Sequence, residues 1–137
     1  MPGAKFESEA KSARAATLGL QGVARIRDAF RNTLRGLRVG ASSEAAIRQE
    51  LTISVVALPL SFVIASDLWI WVALIASLLA VLAVEFLNTA VERLCNYVQP
   101  ECHDAIRSVK DLASASVFFV LALAGLVWIA ATWHRFV

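Results

Sequence analysis

Charge is scarce in this sequence: 18% of residues are Asp, Glu, Lys or Arg, against 58% apolar. A soluble domain carries nearer a quarter charged and about half apolar, so the composition argues against an ordinary soluble globule and for the bilayer. A positive mean hydropathy agrees. Cysteine is nearly absent. Cys95 and Cys102 share one polar stretch without CxxC spacing, which excludes the usual metal and redox motifs and reads as two reduced thiols on a cytosolic loop. No GxxxxGK[ST] run occurs, so phosphate binding of the P-loop kind is excluded, and the HRD and DFG patterns of protein kinases are missing too. No apolar core follows the first basic residues and no cleavage site appears, so no signal peptide is expected and insertion must use internal segments. At 137 residues the chain fits one domain.

What is there is ordered along the chain. Residues 1–20 are rich in Ala, Ser, Lys, Arg and Glu with little apolar periodicity, and read as a mobile N-terminal tail. Residues 21–137 read as a single membrane domain. Within it, Val23, Ile26, Phe30, Leu34 and Leu37 recur at helical spacing beside Arg27, Arg31, Arg35 and Arg38. That pattern predicts an amphipathic helix over 21–39 lying in the membrane surface, its arginines on anionic headgroups. A core-facing helix of a soluble domain has the same periodicity, but the spans that follow argue against it. Gly40, Ser42 and Ser43 are expected to break this helix, with Ser43 capping the next and Glu44 near its positive end.

Three apolar runs follow, at about 45–65, 68–97 and 105–134. Each is near the length that crosses a hydrocarbon core. Pro59 interrupts the first, which membrane helices tolerate. Ser66-Asp67 is a tight turn, and Pro100 marks the end of the second run. The third is apolar from Leu112 to Trp133 and holds Ala113, Ser114, Ala115, Ser116, Ala122, Ala124 and Gly125, small residues that let helices approach closely. The fold class is therefore an all-α membrane protein, a surface helix plus three transmembrane helices. Basic residues concentrate in the N-terminal segment and in the loop between spans two and three, which carries Arg93, Arg107 and Lys110. The positive-inside rule then places the N-terminus and that loop in the cytoplasm and the C-terminus outside. Trp69, Trp71, Trp128 and Trp133 fit an aromatic belt at the outer interface.

Glu85, Asn88 and Glu92 share one face of the second span. If Leu68 marks the outer boundary, a core of about 30 Å ends near Asn88. Glu85 then lies just inside the edge, and Glu92 about 10 Å beyond it in headgroup or water. An ionisable residue in a membrane segment is costly, and points to function unless it pairs with a structural arginine or merely sits at the interface. Glu44 begins the first span and Lys110-Asp111 the third, at the same level. Carboxylates together with substrate phosphates suit Mg²⁺. A lysine nearby neutralises phosphate charge. Desolvation at the apolar edge suits Glu85 to general-base work on a hydroxyl anchored at the interface.

At these residues the sequence closely resembles the prokaryotic diacylglycerol kinase family of Gram-negative type. The carriers are Glu44-Ala-Ala-Ile-Arg-Gln-Glu50, Val84-Glu-Phe-Leu-Asn-Thr-Ala-Val-Glu92 and Val109-Lys-Asp-Leu-Ala-Ser-Ala115, in order, within a resemblance from about Arg25 to the C-terminus. The resemblance implies a homotrimer with shared active sites in the bacterial inner membrane, diacylglycerol and ATP as substrates, Mg²⁺ as cofactor, phosphatidic acid as product, and no nucleic-acid partner. It implies Glu85 as catalytic base with Asn88 supporting it, and Glu44 and Glu92 as metal ligands that also meet ATP. Arg25, Glu101, His103, Lys110 and Asp111 would touch ATP. Arg25, Arg48, Gln49, Glu85, Ser114, Trp128 and Trp133 would hold the lipid. His103 reads equally as a solvated loop residue, and Trp128 and Trp133 equally as interface anchors. Asn96 stands where the family usually has aspartate, Ala113 where glycine is frequent, and Asn32 where an aromatic is common. A polyprenol kinase of the same superfamily is the nearest competing reading, although Arg48-Gln49-Glu50 looks like the diacylglycerol branch. A channel or proton relay would need acidic groups spread through the bilayer, whereas here they cluster at one face.

Overall fold

The computed structural model describes the backbone of residues 3–101 and 103–137, and side chains from Gly22 onward apart from Cys102. Met1, Pro2 and Cys102 lie outside the described residues, and Cys95, expected on a loop, is buried in α3, whose helix runs on to Val98. The described chain is helical: α1 (Gly3–Ser43), α2 (Ala45–Ile64), α3 (Leu68–Val98) and α4 (Asp104–Phe136). By internal packing it divides into two units, Met1–Val39 and Gly40–Val137.

The first unit is most of α1. A tail was expected over 1–20, but the backbone is helical from Gly3. Ala, Lys, Glu and Arg are strong helix formers, and extending an existing helix avoids a new nucleation cost, so helix forms there without apolar periodicity. Further along, Val23, Ile26 and Phe30 follow the expected stripe and are 66%, 72% and 62% exposed. Arg27, Arg31, Arg35 and Arg38 are exposed as well.

In the second unit the junction between α1 and α2 differs from expectation. Gly40 does not break α1; it is a buried helical residue. A Cβ at this position would come within 2.5 Å of Phe86 Cε1 and 2.9 Å of Ile47 Cδ1, so the glycine permits close approach rather than a turn. The helix ends at Ser43, and Glu44, not Ser43, occupies the N-cap of α2 in extended conformation. Pro59 sits inside α2 without ending it. The Ser66-Asp67 turn is present, and Asp67 caps α3: its Oδ1 accepts from the backbone N–H of Trp69 at 2.8 Å and of Ile70 at 3.0 Å. The Ile70 bond foremost holds the Asp67 carboxyl below the ordinary carboxylate range.

Helix α3 is the centre of this unit, packed chiefly on α4 and also on α2. Ile64, Leu74 and Ala131 form a buried cluster near the α2–α3 turn, with Ile70, Val127 and Trp128 against it. Trp128 Nε1 donates to Ser77 Oγ at 3.1 Å, and Ser77 Oγ donates to the Leu74 carbonyl at 2.7 Å. Ala57, Ser61, Ser77, Ala124 and Ala131 are buried beside Ile47, Ile64, Leu74 and Val81, so small side chains share the helix contacts with branched ones. Larger apolar residues face outward, with Phe118, Phe119, Leu126 and Ile129 each 66–70% exposed. Three helices are long and apolar enough to cross a membrane. A helix satisfies its own backbone hydrogen bonds, so apolar faces turned outward are stable in a bilayer and costly in water. The chain is an all-helical membrane protein.

Candidate active site

Glu85 lies on α3, 17 positions after Leu68 and thus about 25 Å along the helix axis. It is buried, at 6% exposure. Glu92 lies about two helical turns further along the same face of α3, and Glu50 belongs to α2. Asn88 stands between Glu85 and Glu92, and its Nδ2 donates to Glu92 Oε1 at 3.3 Å. Asn88 Oδ1 is buried without a hydrogen-bond partner among the described residues. A buried amide oxygen costs free energy until a donor reaches it.

Glu44 approaches from the start of α2. Its carboxylate makes no cap hydrogen bond to α2. It turns instead to Arg93 of α3, whose Nη2 and Nε reach Glu44 Oε1 at 2.7 and 3.2 Å. Arg93 Nη2 also donates to Ser43 Oγ. On the α4 side, Lys110 Nζ donates to Asn96 Oδ1 at 2.7 Å. Asn96, which stands where the family usually has aspartate, is thus a neutral partner for the ammonium group. Asp111 is exposed beside it.

Two clefts border these groups. One of about 740 Å³ runs along α2 and is lined by Arg48, Gln49 and Glu50. The other, about 270 Å³, lies at the α3–α4 loop and gathers Glu101, His103, Arg107 and Lys110. His103 is not merely solvated: it is the N-cap of α4, its Nδ1 accepting from the Ala105 N–H at 3.3 Å. Ser114 is exposed on α4, one turn beyond Lys110. Trp128 and Trp133 lie toward the other end of α4. Trp128 bonds Ser77, which is about 12 Å along α3 from Glu85. The tryptophans therefore do not meet the carboxylates. Arg25 belongs to the first unit, exposed in a shallow hollow beside Gly22, Ile26 and Ala29.

Among the described residues no three His, Cys, Asp or Glu side chains form a group able to hold a metal ion. Mg²⁺ does not require one, since it is usually bound by one or two carboxylates, phosphates and water. Glu44 and Glu92 each have Oε1 engaged by a protein donor, and each carboxylate has a second oxygen for a cation. These are hard oxygen donors, the type Mg²⁺ takes.

Three residues of this arrangement had no role in the sequence reading. Glu50 closes the first motif but is six positions from Glu44, on a different face of α2. Arg93 adjoins Glu92 and was counted only as a loop charge. Asn96 was only a departure from a pattern. Each acquires its part from a neighbouring helix, which spacing along one helix does not reveal.

Known proteins resemble this chain over most of its length. The family described as Prokaryotic diacylglycerol kinase matches residues 31–132. A Haemophilus influenzae protein named diacylglycerol kinase is 33% identical over 107 residues, covering 78% of this chain and 91% of its own length. An Escherichia coli K12 protein of the same name is 32% identical over 115 residues, covering 84% and 94%. One from Pseudomonas aeruginosa is 33% identical over 110 residues, covering 80% and 89%.

Proposed function

Because the chain belongs to the prokaryotic diacylglycerol kinase family, we propose that it transfers the γ-phosphoryl group of ATP to the free hydroxyl of diacylglycerol, giving phosphatidic acid and ADP. The observation that carries this reading is the buried Glu85 at the end of an apolar helical stretch, continuous with Asn88 and Glu92 on one face. Depth along α3 divides the work. A hydroxyl held at the lipid interface reaches Glu85, and a nucleotide in the water layer reaches Glu92, Glu44 and Lys110.

Glu85 takes the hydroxyl proton as the hydroxyl oxygen bonds to the γ-phosphorus, and the bond to the β–γ bridging oxygen breaks, releasing ADP. Asn88 supports Glu85 from the same face, about one turn along α3. Lys110, held on the neutral Asn96, offers its charge to the phosphates. His103 and Glu101 border the nucleotide from the loop cleft, with Arg107 beside them. Arg48 and Gln49 hold the lipid head along the cleft of α2, and Ser114, Trp128 and Trp133 flank its chains along α4. Glu44 and Glu92 would hold Mg²⁺, which neutralises charge on the β and γ oxygens when bound.

The same reading puts this face in the cytoplasm at the inner membrane, with the C-terminus in the periplasm, because the basic residues lie on the carboxylate side. The arginine-edged stripe of α1 suits an anionic membrane surface. The outward apolar faces of α2 and α4 suit packing into a homotrimer with active sites shared between protomers. The test is phosphorylation of diacylglycerol and of undecaprenol by the purified protein in lipid with ATP, with Glu85→Gln alongside. Diacylglycerol is expected to be the substrate. Turnover of undecaprenol alone would move the assignment to a polyprenol kinase, and turnover of neither would end the kinase reading.

A further inference from the structure

We propose that Arg93 is the positioning residue of the site's metal carboxylate: it draws Glu44 away from the α2 N-terminus and holds it by one oxygen, so that the other is presented to the divalent cation that accompanies the nucleotide. This rests on the kinase reading above and deepens it. Three observations carry it. First, Glu44 occupies an N-cap position yet makes no cap hydrogen bond. A carboxylate there has backbone N–H donors within reach, and Asp67, at the same position of α3, uses two of them. The Glu44 carboxylate is therefore not engaged by the α2 N-terminus. Second, Arg93 Nε and Nη2 both donate to Oε1 of Glu44. A parallel fork would consume both carboxylate oxygens. This end-on pairing consumes one. Third, Arg93 Nη2 also donates to Ser43 Oγ, so the guanidinium is fixed to two successive residues and cannot simply swing with Glu44. Glu92 is arranged alike, with Asn88 donating to Oε1 only.

Two effects of Arg93 on a cation oppose each other. Its positive charge repels the ion, and its hydrogen bonds order the ligand. The two side chains are 44% and 32% exposed, so water screens the repulsion, while the ordering is local and unscreened. Donors that orient a metal ligand typically change metal affinity about 10- to 100-fold when removed. Ordering wins, and loss of Arg93 weakens cation binding.

The test is a Mn²⁺ titration of the full-length protein in phosphatidylcholine nanodiscs with a non-hydrolysable ATP analogue, free Mn²⁺ being read by electron paramagnetic resonance. Arg93→Gln is expected to raise the Mn²⁺ dissociation constant about 10- to 100-fold. Arg93→Lys, which keeps one charged donor, is expected to recover part of that loss. Far-ultraviolet circular dichroism and thermal unfolding check that each variant is folded. Arg93→Gln binding Mn²⁺ as tightly as wild type, or more tightly, overturns the proposal, and tighter binding would make Arg93 a competitor of the cation. Should Arg93→Gln not fold, Arg93→Lys decides: a several-fold loss supports the proposal and unchanged affinity overturns it. Wild type binding no Mn²⁺ with nucleotide present would overturn the metal part of the kinase reading and this inference together. Wild-type binding that Arg93 variants leave unchanged overturns this inference alone.

Discussion

At the end of the bundle made by the α2–α3 turn, polar groups serve mainly to close and join helices. Asp67 caps α3, Ser66 Oγ lies 3.4 Å from His134 Nδ1, and Ser77 receives the Trp128 indole. Trp71 Nε1, buried without a partner among the described residues, is the exception there. At the opposite end the polar groups exceed what the helices need. Glu44 sits at a cap and does not cap, Asn88 Oδ1 lacks a donor among the described residues, and Glu85 is buried. Buried polar groups cost free energy unless paired. A chain that satisfies one end and leaves the other wanting donors and cations has a place for a ligand at the second.

The contrast is broken most severely at Glu85. Glu85→Gln should lower turnover about 10²- to 10⁴-fold with the helices intact, whereas Asp67→Asn at the turn should leave turnover near wild type. Parallel assays of the two variants in lipid check this, and equal losses would mean that the two ends do not differ in kind. Ser77→Ala should cost about 1 kcal/mol of stability by leaving the Trp128 N–H without its acceptor, again with little effect on turnover. Unfolding in mixed micelles measures it. Asn96→Asp should give Lys110 a charged partner and raise the KM for ATP roughly two- to fivefold, since an exposed ion pair is worth only a few tenths to about 1 kcal/mol. An unchanged KM would remove Lys110 from the nucleotide. The smallest effect belongs to pH at the turn. The folded Asp67 carboxyl is held below its ordinary range, so its contribution to stability is complete above that range and is lost as pH falls through the lowered value. Comparing wild type with Asp67→Asn in acid unfolding isolates it, the difference closing as Asp67 protonates.

Much of this contrast was legible in the chain. The Ser66-Asp67 turn and the face Glu85–Asn88–Glu92 follow from local signals, namely capping chemistry and helical period. Gly40 shows where such signals fail. Glycine next to serines is a helix breaker by propensity, yet here the Phe86 ring and Ile47 occupy the space that a Cβ would need, and the helix continues. Likewise Ser43 has a good capping side chain but accepts from Arg93, and Glu44 becomes the cap residue. The N-terminal stretch misled in the other direction, since low apolar periodicity hid strong helix formers.

The opposite order holds for Glu50, Arg93 and Asn96, whose parts no periodicity announces. Sequence by itself determined the three apolar helices and the shared face of Glu85, Asn88 and Glu92, because hydropathy and helical period are properties of a single segment. Only the tertiary structure decided that Arg93 clamps Glu44 and that Lys110 meets Asn96, because those depend on side chains from different helices meeting at one level.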